Sequence, residues 1–155
     1  MTYRPRALLL AVILVALVAC PGDQEPRYEA TIRVRNATEA RLLPRFADIL
    51  PEATPESFHR LLDQLHGTPV VVNFWGSWCP PCEDEMPRIV AAHEDFGDRV
   101  QFVGINFWET RAEARTFIRR FEMRFPSVFD AEGTIKTSLG FFGQPVTIFY
   151  ERDGS

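Results

Sequence analysis

Three features of the sequence predict an α/β domain with parallel strand pairing at its centre. Residues 70–74 and 100–107 are continuous apolar runs of strand length, which suits strands covered on both faces. Residues 83–96 read as a helix between them, so the two strands and the helix make a βαβ unit. At the junction of the first strand with that helix stands Trp78-Cys79-Pro80-Pro81-Cys82, which puts two thiols within disulfide reach among the unpaired N–H groups of a helix start.

The chain has 155 residues, 46% of them hydrophobic and 25% charged, enough for one domain with a real core. A formal net charge of −4 offers no phosphate-binding surface, which sets nucleic acid aside as a partner. There are three cysteines, an odd number, so one of them has a separate task. The N-terminus supplies it. Arg4 and Arg6 precede an uncharged apolar run over 7–19, shorter than the roughly 20 residues of a spanning helix, as in a secretory signal peptide. Leu17-Val18-Ala19-Cys20 resembles a bacterial lipobox, in which the cysteine thiol takes a diacylglycerol and becomes the first residue of the mature chain. A short membrane anchor with an incidental cysteine is the alternative. The expected layout is a lipoprotein signal peptide over 1–19, a lipidated tether over 20–27 and one domain over 28–155, outside the cytoplasm on either reading.

Residues 21–27 are polar and hold two prolines and a glycine, as a tether does. Tyr28, Ala30, Ile32 and Val34 then alternate with Glu29, Thr31, Arg33 and Arg35, the period of an edge strand with one buried face. Pro44 and Pro51 leave 36–51 without a clean period, and that segment reads as irregular. Thr54-Pro55-Glu56 opens a helix with a capping hydroxyl, a proline in the first position and an early acid; Phe58, Leu61, Leu62 and Leu65 line one face and Gly67 ends it. His59 and His66 lie off that stripe and read as solvated. Pro87 sits inside the helix over 83–96 and removes one of its hydrogen bonds. Thr110 and Glu113 form a capping box for a further helix, with Ala114, Phe117, Ile118 and Phe121 as its buried stripe. Val128 and Phe129 precede a turn over 130–133, and 135–139 reads as a short helix or turn. Residues 146–150 form a strand behind Pro145, followed by the hairpin-turn chemistry of Asp153-Gly154. No second strand follows that turn before Ser155, which leaves the strand with an unpaired edge.

Trp78-Cys79-Pro80-Pro81-Cys82 behind an apolar strand, Glu85-Met86-Pro87 after it, and Gly143-Gln144-Pro145-Val146-Thr147 before a late strand resemble the thioredoxin superfamily. Within it they resemble the TlpA/ResA branch of membrane-tethered extracytoplasmic thiol–disulfide oxidoreductases. The resemblance runs in order over residues 42–154. It implies a three-layer α/β/α fold with a mixed sheet, here with an N-terminal strand extension and an inserted helix after Asn106. It also implies that the core over 42–155 is incomplete, the final strand and helix being missing. By position it makes Cys79 the exposed nucleophile and Cys82 the buried resolving thiol of a redox disulfide. Pro145 becomes a cis-proline lying against that disulfide, with backbone beside it that pairs with an extended substrate segment. Gln144, Trp78, Pro80 and Pro81 line the substrate side. Glu85 matches a carboxylate that manages protons, and Asn73 stands where cytoplasmic thioredoxins carry a buried aspartate, which leaves Glu85 as the proton acceptor. Gln144 departs from the pattern, being polar where an apolar or β-branched residue is common.

Exchange at such a pair passes through a mixed disulfide and runs in either direction. Glu83, Asp84 and Glu85 crowd the helix start, and their charge opposes the dipole that acidifies a thiol. Cys79 is therefore expected nearer the free-thiol pKa of about 8.5 than the value of about 3.5 in strongly oxidising relatives, which favours a reductant. The expected activity is reduction of disulfides in extracytoplasmic proteins at the outer face of the bacterial cytoplasmic membrane, by a monomer without a cofactor. By resemblance the clients are apocytochrome c haem-site cysteines or misoxidised secreted proteins, and the electron donor is a membrane thiol transporter. The alternatives are an oxidase that introduces disulfides and, in another class, a module that holds extended peptides beside Pro145 without turnover. A merely stabilising disulfide is disfavoured, because a two-residue spacer closes too small a loop to restrict the unfolded chain much. Zinc needs two ligands beyond the cysteine pair, and His59, His66 and His93 are scattered. Copper delivery wants a histidine later than His93, and a peroxidase holds its cysteine in another context. Trp75 is expected to pack, Trp78 to line the site and Trp108 to pack the inserted segment.

Overall fold

Every residue of the first apolar run is buried in the computed structural model, which describes residues 29–32 and 42–155. That run is β1 (Val70–Trp75), and the second is β2 (Gln101–Phe107), equally buried and parallel to it, with Val72 opposite Val103. β3 (Ser127–Asp130) pairs parallel to β2, and β4 (Val146–Tyr150) pairs antiparallel to β1, giving a mixed sheet of order β3-β2-β1-β4. Alternation along the strands sends side chains to two separate apolar layers. Val71, Trp75 and Phe102 face α2 (Pro80–Phe96) and α3 (Arg111–Arg120). Val70, Val72, Phe74, Val103, Ile105 and Phe107 face α1 (Pro55–Leu65) and the short α4 (Thr134–Ser138). The three-layer α/β/α arrangement follows directly from those two clusters.

The helix starts follow their capping chemistry. Thr54 and Ser57 form a reciprocal box at α1, Thr110 and Glu113 another at α3, and each satisfies two end groups of the backbone. Helix α2 begins three residues earlier than the sequence pattern suggests, because Cys79 itself is its cap and Pro80 takes the first helical position. Cys82 is thereby a helical residue. His93 on α2 is buried edge-on against Phe102 and Phe125, with ring centroids 5.4 and 5.6 Å away. Burial pushes its pKa below the ordinary histidine value, so the neutral ring is the form the core accepts.

The two sheet edges differ. Outside β3, Ala53 N–H donates to the Phe129 carbonyl at 2.8 Å and Phe129 N–H to that of Pro51 at 2.8 Å, so an irregular segment covers that edge. Outside β4 no strand pairs among the described residues, and Phe149 is 73% exposed there. The expected N-terminal strand extension is, where described, one antiparallel bridge of Glu29 with Phe46, supported by Ala30 N–H on the Arg45 carbonyl at 2.7 Å. Thr31 N–H turns instead to the carbonyl of Arg124, which ends any regular ladder at that point. The signal-peptide, lipobox and tether readings, Cys20 included, lie outside the described residues.

Candidate active site

β1 delivers the chain to the site through a rigid end. Trp75 is fully buried and stacks on Phe117 of α3 with centroids 5.0 Å apart, so it packs as expected. Gly104 on β2 makes room for it, since a Cβ there would lie 2.7 Å from the Trp75 indole nitrogen. The chain then turns at Gly76, where a Cβ would meet the Trp78 indole nitrogen at 2.5 Å. Cys79 N–H closes the turn on the Gly76 carbonyl at 3.1 Å.

Cys79 and Cys82 are joined by a disulfide, with S–S 2.08 Å and Cα atoms 5.2 Å apart. Cys79 Sγ accepts the backbone N–H of Cys82 at 3.3 Å, so it occupies the place where a helix start stabilises negative charge. The expected contrast between an exposed and a buried sulfur is narrow, since Cys79 is 2% exposed and Cys82 0%. Both belong to the apolar layer of α2 and α3, with Trp75, Met86 and Phe117, and that packing limits access in the oxidised form.

The turn is anchored by a residue the sequence reading passed over. Glu109 accepts the Ser77 N–H at 2.9 Å, the Ser77 hydroxyl and the Asn106 side-chain amide. Its signal was positional: it lies just beyond the carboxyl end of β2, where side chains of a parallel sheet gather around a site. The three acids at the start of α2 are not equivalent either. Glu83 is paired with Arg120 of α3, Asp84 is exposed, and Glu85 accepts from Asn73 at 2.7 Å. Asn73 is 1% exposed and also donates to Thr147 Oγ1 at 3.0 Å, so β1, α2 and β4 meet at that amide. Glu85 stands three residues after Cys82, on the same face of the helix.

The Gln144–Pro145 peptide is cis, as expected. Val146 pairs with Phe74, which places Pro145 at the end of the sheet where β1 runs into the disulfide turn. Trp78 is 41% exposed beside Cys79, its indole N–H on the Phe107 carbonyl at 3.2 Å and its ring edge-on to Phe107 at 5.7 Å. Pro80 and Pro81 are exposed on the same turn. Trp108 lies 6.1 Å from Trp78, centroid to centroid. Its backbone takes a left-handed φ of 55°, and its indole N–H donates to the Glu132 carbonyl at 2.8 Å. It therefore tethers the segment after β2 to the turn before α4, a longer reach than packing the inserted segment alone.

A mixed sheet between two helical layers, with a C-x-x-C disulfide at a helix start and a cis-proline at the same sheet end, defines a thioredoxin-like domain. The chain belongs to the AhpC/TSA family, whose profile matches residues 51–155. It is 30% identical over 94 residues to the thiol-disulfide oxidoreductase ResA of Bacillus thuringiensis, covering 60% of this chain and 54% of that protein. To the ResA of Oceanobacillus iheyensis it is 26% identical over 148 residues, covering 95% of this chain and 72% of that one. Among solved structures it resembles a secreted Mycobacterium tuberculosis disulfide oxidoreductase homologous to E. coli DsbE. That match has a TM-score of 0.57 and 31% identity, over 60% of this chain and 69% of the other. The aligned part thus spans about half the length of the first of these relatives.

Proposed function

We propose that the protein is a membrane-tethered thiol–disulfide oxidoreductase that reduces disulfides of extracytoplasmic proteins. The observation that carries the thiol–disulfide exchange is the placement of Cys79 Sγ at the cap of α2, accepting the Cys82 N–H. A cap position lowers the cost of a thiolate at Cys79, and the partner thiol is already within bonding distance. In the dithiol form the Cys79 thiolate attacks one sulfur of a client disulfide, and the other client sulfur leaves as a thiolate. The Cys82 thiolate then attacks Cys79 Sγ, the mixed disulfide breaks, and the second client sulfur leaves. Two electrons have passed to the client and the Cys79–Cys82 bond has formed. Glu85 takes the Cys82 proton in this scheme. Trp78, Pro80, Pro81, Gln144 and Pro145 form the surface against which an extended client segment lies.

Reduction rather than oxidation is supported by the acids of α2, though less strongly than the sequence suggests, because Arg120 neutralises Glu83. The reduction potential of Cys79–Cys82, measured by equilibration with glutathione, decides the direction. A value near about −270 mV is expected, and one near about −120 mV assigns the protein to disulfide formation instead. The family resemblance points to apocytochrome c or misoxidised secreted proteins as clients and to a membrane thiol carrier as donor. Attachment rests on the lipobox pattern ending at Cys20. In a bacterial host, Cys20→Ser in the full chain is expected to move the protein from the membrane to the soluble fraction. Unchanged partition of the variant rules out the lipid anchor.

A further inference from the structure

The chain contains a single lysine against sixteen arginines, and that lysine, Lys136, is buried beside the site at 1% exposure. Its ammonium lies 4.9 Å from the ring centroid of Phe107 and 4.9 Å from that of Trp108, the rings that support Trp78. Nζ donates to Oε1 of Gln144 at 2.9 Å. No carboxylate among the described residues forms an ion pair with it. Burial pushes its pKa below the ordinary lysine value. An apolar side chain of similar length would fill this space without the cost of desolvating an amine. The gain that offsets the cost is therefore in what the amine holds: two aromatic faces and one amide oxygen.

The chemistry of the pair fixes its direction. A lysine ammonium has donors and no acceptor, so Gln144 can meet it only with its oxygen. The amide nitrogen of Gln144 is then turned the other way, and among the described residues no protein group accepts from it. Gln144 is the residue immediately before Pro145 and is only half-buried. We propose that Lys136 is a positioning residue for client recognition: by holding Oε1 of Gln144 it presents Nε2 as a donor to a backbone carbonyl of the bound polypeptide. This rests on the oxidoreductase reading and adds a preference to it. The site recognises the peptide chain around a client disulfide, and small disulfides without such a carbonyl do not gain from it.

Two probes of different shape separate these effects. Insulin carries its disulfides in polypeptide, and DTNB is a small aromatic disulfide with no peptide carbonyl. Pre-reduced full chain is mixed with an excess of either, and oxidation is followed by tryptophan fluorescence over a range of probe concentrations. Lys136→Met and Gln144→Leu are each expected to raise the half-saturating insulin concentration about 5- to 10-fold, the loss of one hydrogen bond, with less effect on the maximal rate. The ratio of insulin to DTNB rate constants falls by the same factor. The double variant is no weaker than the weaker single variant, because both remove one interaction. Parallel losses on both probes, an effect on maximal rate alone, or additive losses in the double variant overturn the proposal. Should Lys136→Met not fold, Gln144→Glu decides: it keeps an oxygen toward Lys136 and removes the N–H donors. Weaker saturation by insulin then supports the proposal, and the wild-type value overturns it. Failure of the wild-type dithiol to react with DTNB at all is a separate result, and sinks the oxidoreductase reading itself.

Discussion

Cys82→Ala is expected to accumulate mixed disulfides with client proteins through Cys79, while Cys79→Ser accumulates none and loses disulfide reduction by at least about 10³-fold. The asymmetry follows from position. Cys79 caps α2 and accepts a backbone N–H, whereas Cys82 is a residue of the first turn of the helix; burial separates them little, at 2% and 0% exposed. On the proposed mechanism a client disulfide is attacked at Cys79, and Cys82 then acts on the bond that Cys79 has made. Without Cys82 the second displacement has no nucleophile, and the adduct persists until an external thiol resolves it. Both variants should remain folded. The chain-entropy cost of losing so short a cross-link is about 2 kcal/mol, which a domain with two full apolar layers tolerates. Non-reducing electrophoresis after acid trapping is the measurement. Adducts appearing on Cys79→Ser through Cys82 would reverse the assigned roles, and no adducts on either variant would favour a peptide-binding module that performs no exchange.

The parts of this fold that were legible in the sequence are those set by local chemistry. Thr54 and Thr110 mark helix starts because a side-chain oxygen must satisfy backbone N–H groups there, and both caps are present. The two apolar runs became the central parallel pair because only strands covered on both faces can be uniformly apolar. The disulfide turn and Pro145 were visible as motifs, and the pairing of Phe74 with Val146 is what brings them to one end of the sheet. What escaped was made by partners distant in sequence. Arg120 reaches back 37 positions to Glu83, and Glu109 reaches back 32 to Ser77. Neither pair has a period or a spacing to betray it, since each depends on how α3 and its entry loop settle against the disulfide turn. Lys136 was hidden for a different reason. A lysine in a polar turn looks solvated, and only the closing of Phe107 and Trp108 over it shows otherwise.

The same long-range logic makes Glu85 the next residue to test. Asn73 comes from the middle of β1, is nearly inaccessible, and commits its amide nitrogen to Glu85 and to Thr147. The carboxylate is thus fixed on the helix face it shares with Cys82, rather than swinging free as a surface acid of α2 would. If it accepts the proton as Cys82 becomes a nucleophile, Glu85→Gln is expected to slow resolution of the mixed disulfide about 10²-fold near neutral pH, the lower end of general-base contributions. The loss should shrink as pH rises, because hydroxide then deprotonates Cys82 without help. Stability should change little in this variant, since a glutamine oxygen can still accept from Asn73. Glu85→Ala is the contrasting case. It leaves the buried Asn73 N–H group short of an acceptor and should cost about 1–3 kcal/mol in stability. Rates of adduct resolution against pH, with thermal unfolding of each variant, separate the two effects. Superimposable pH profiles for Glu85→Gln and the wild type would remove Glu85 from proton transfer and leave it as the buried anchor of Asn73.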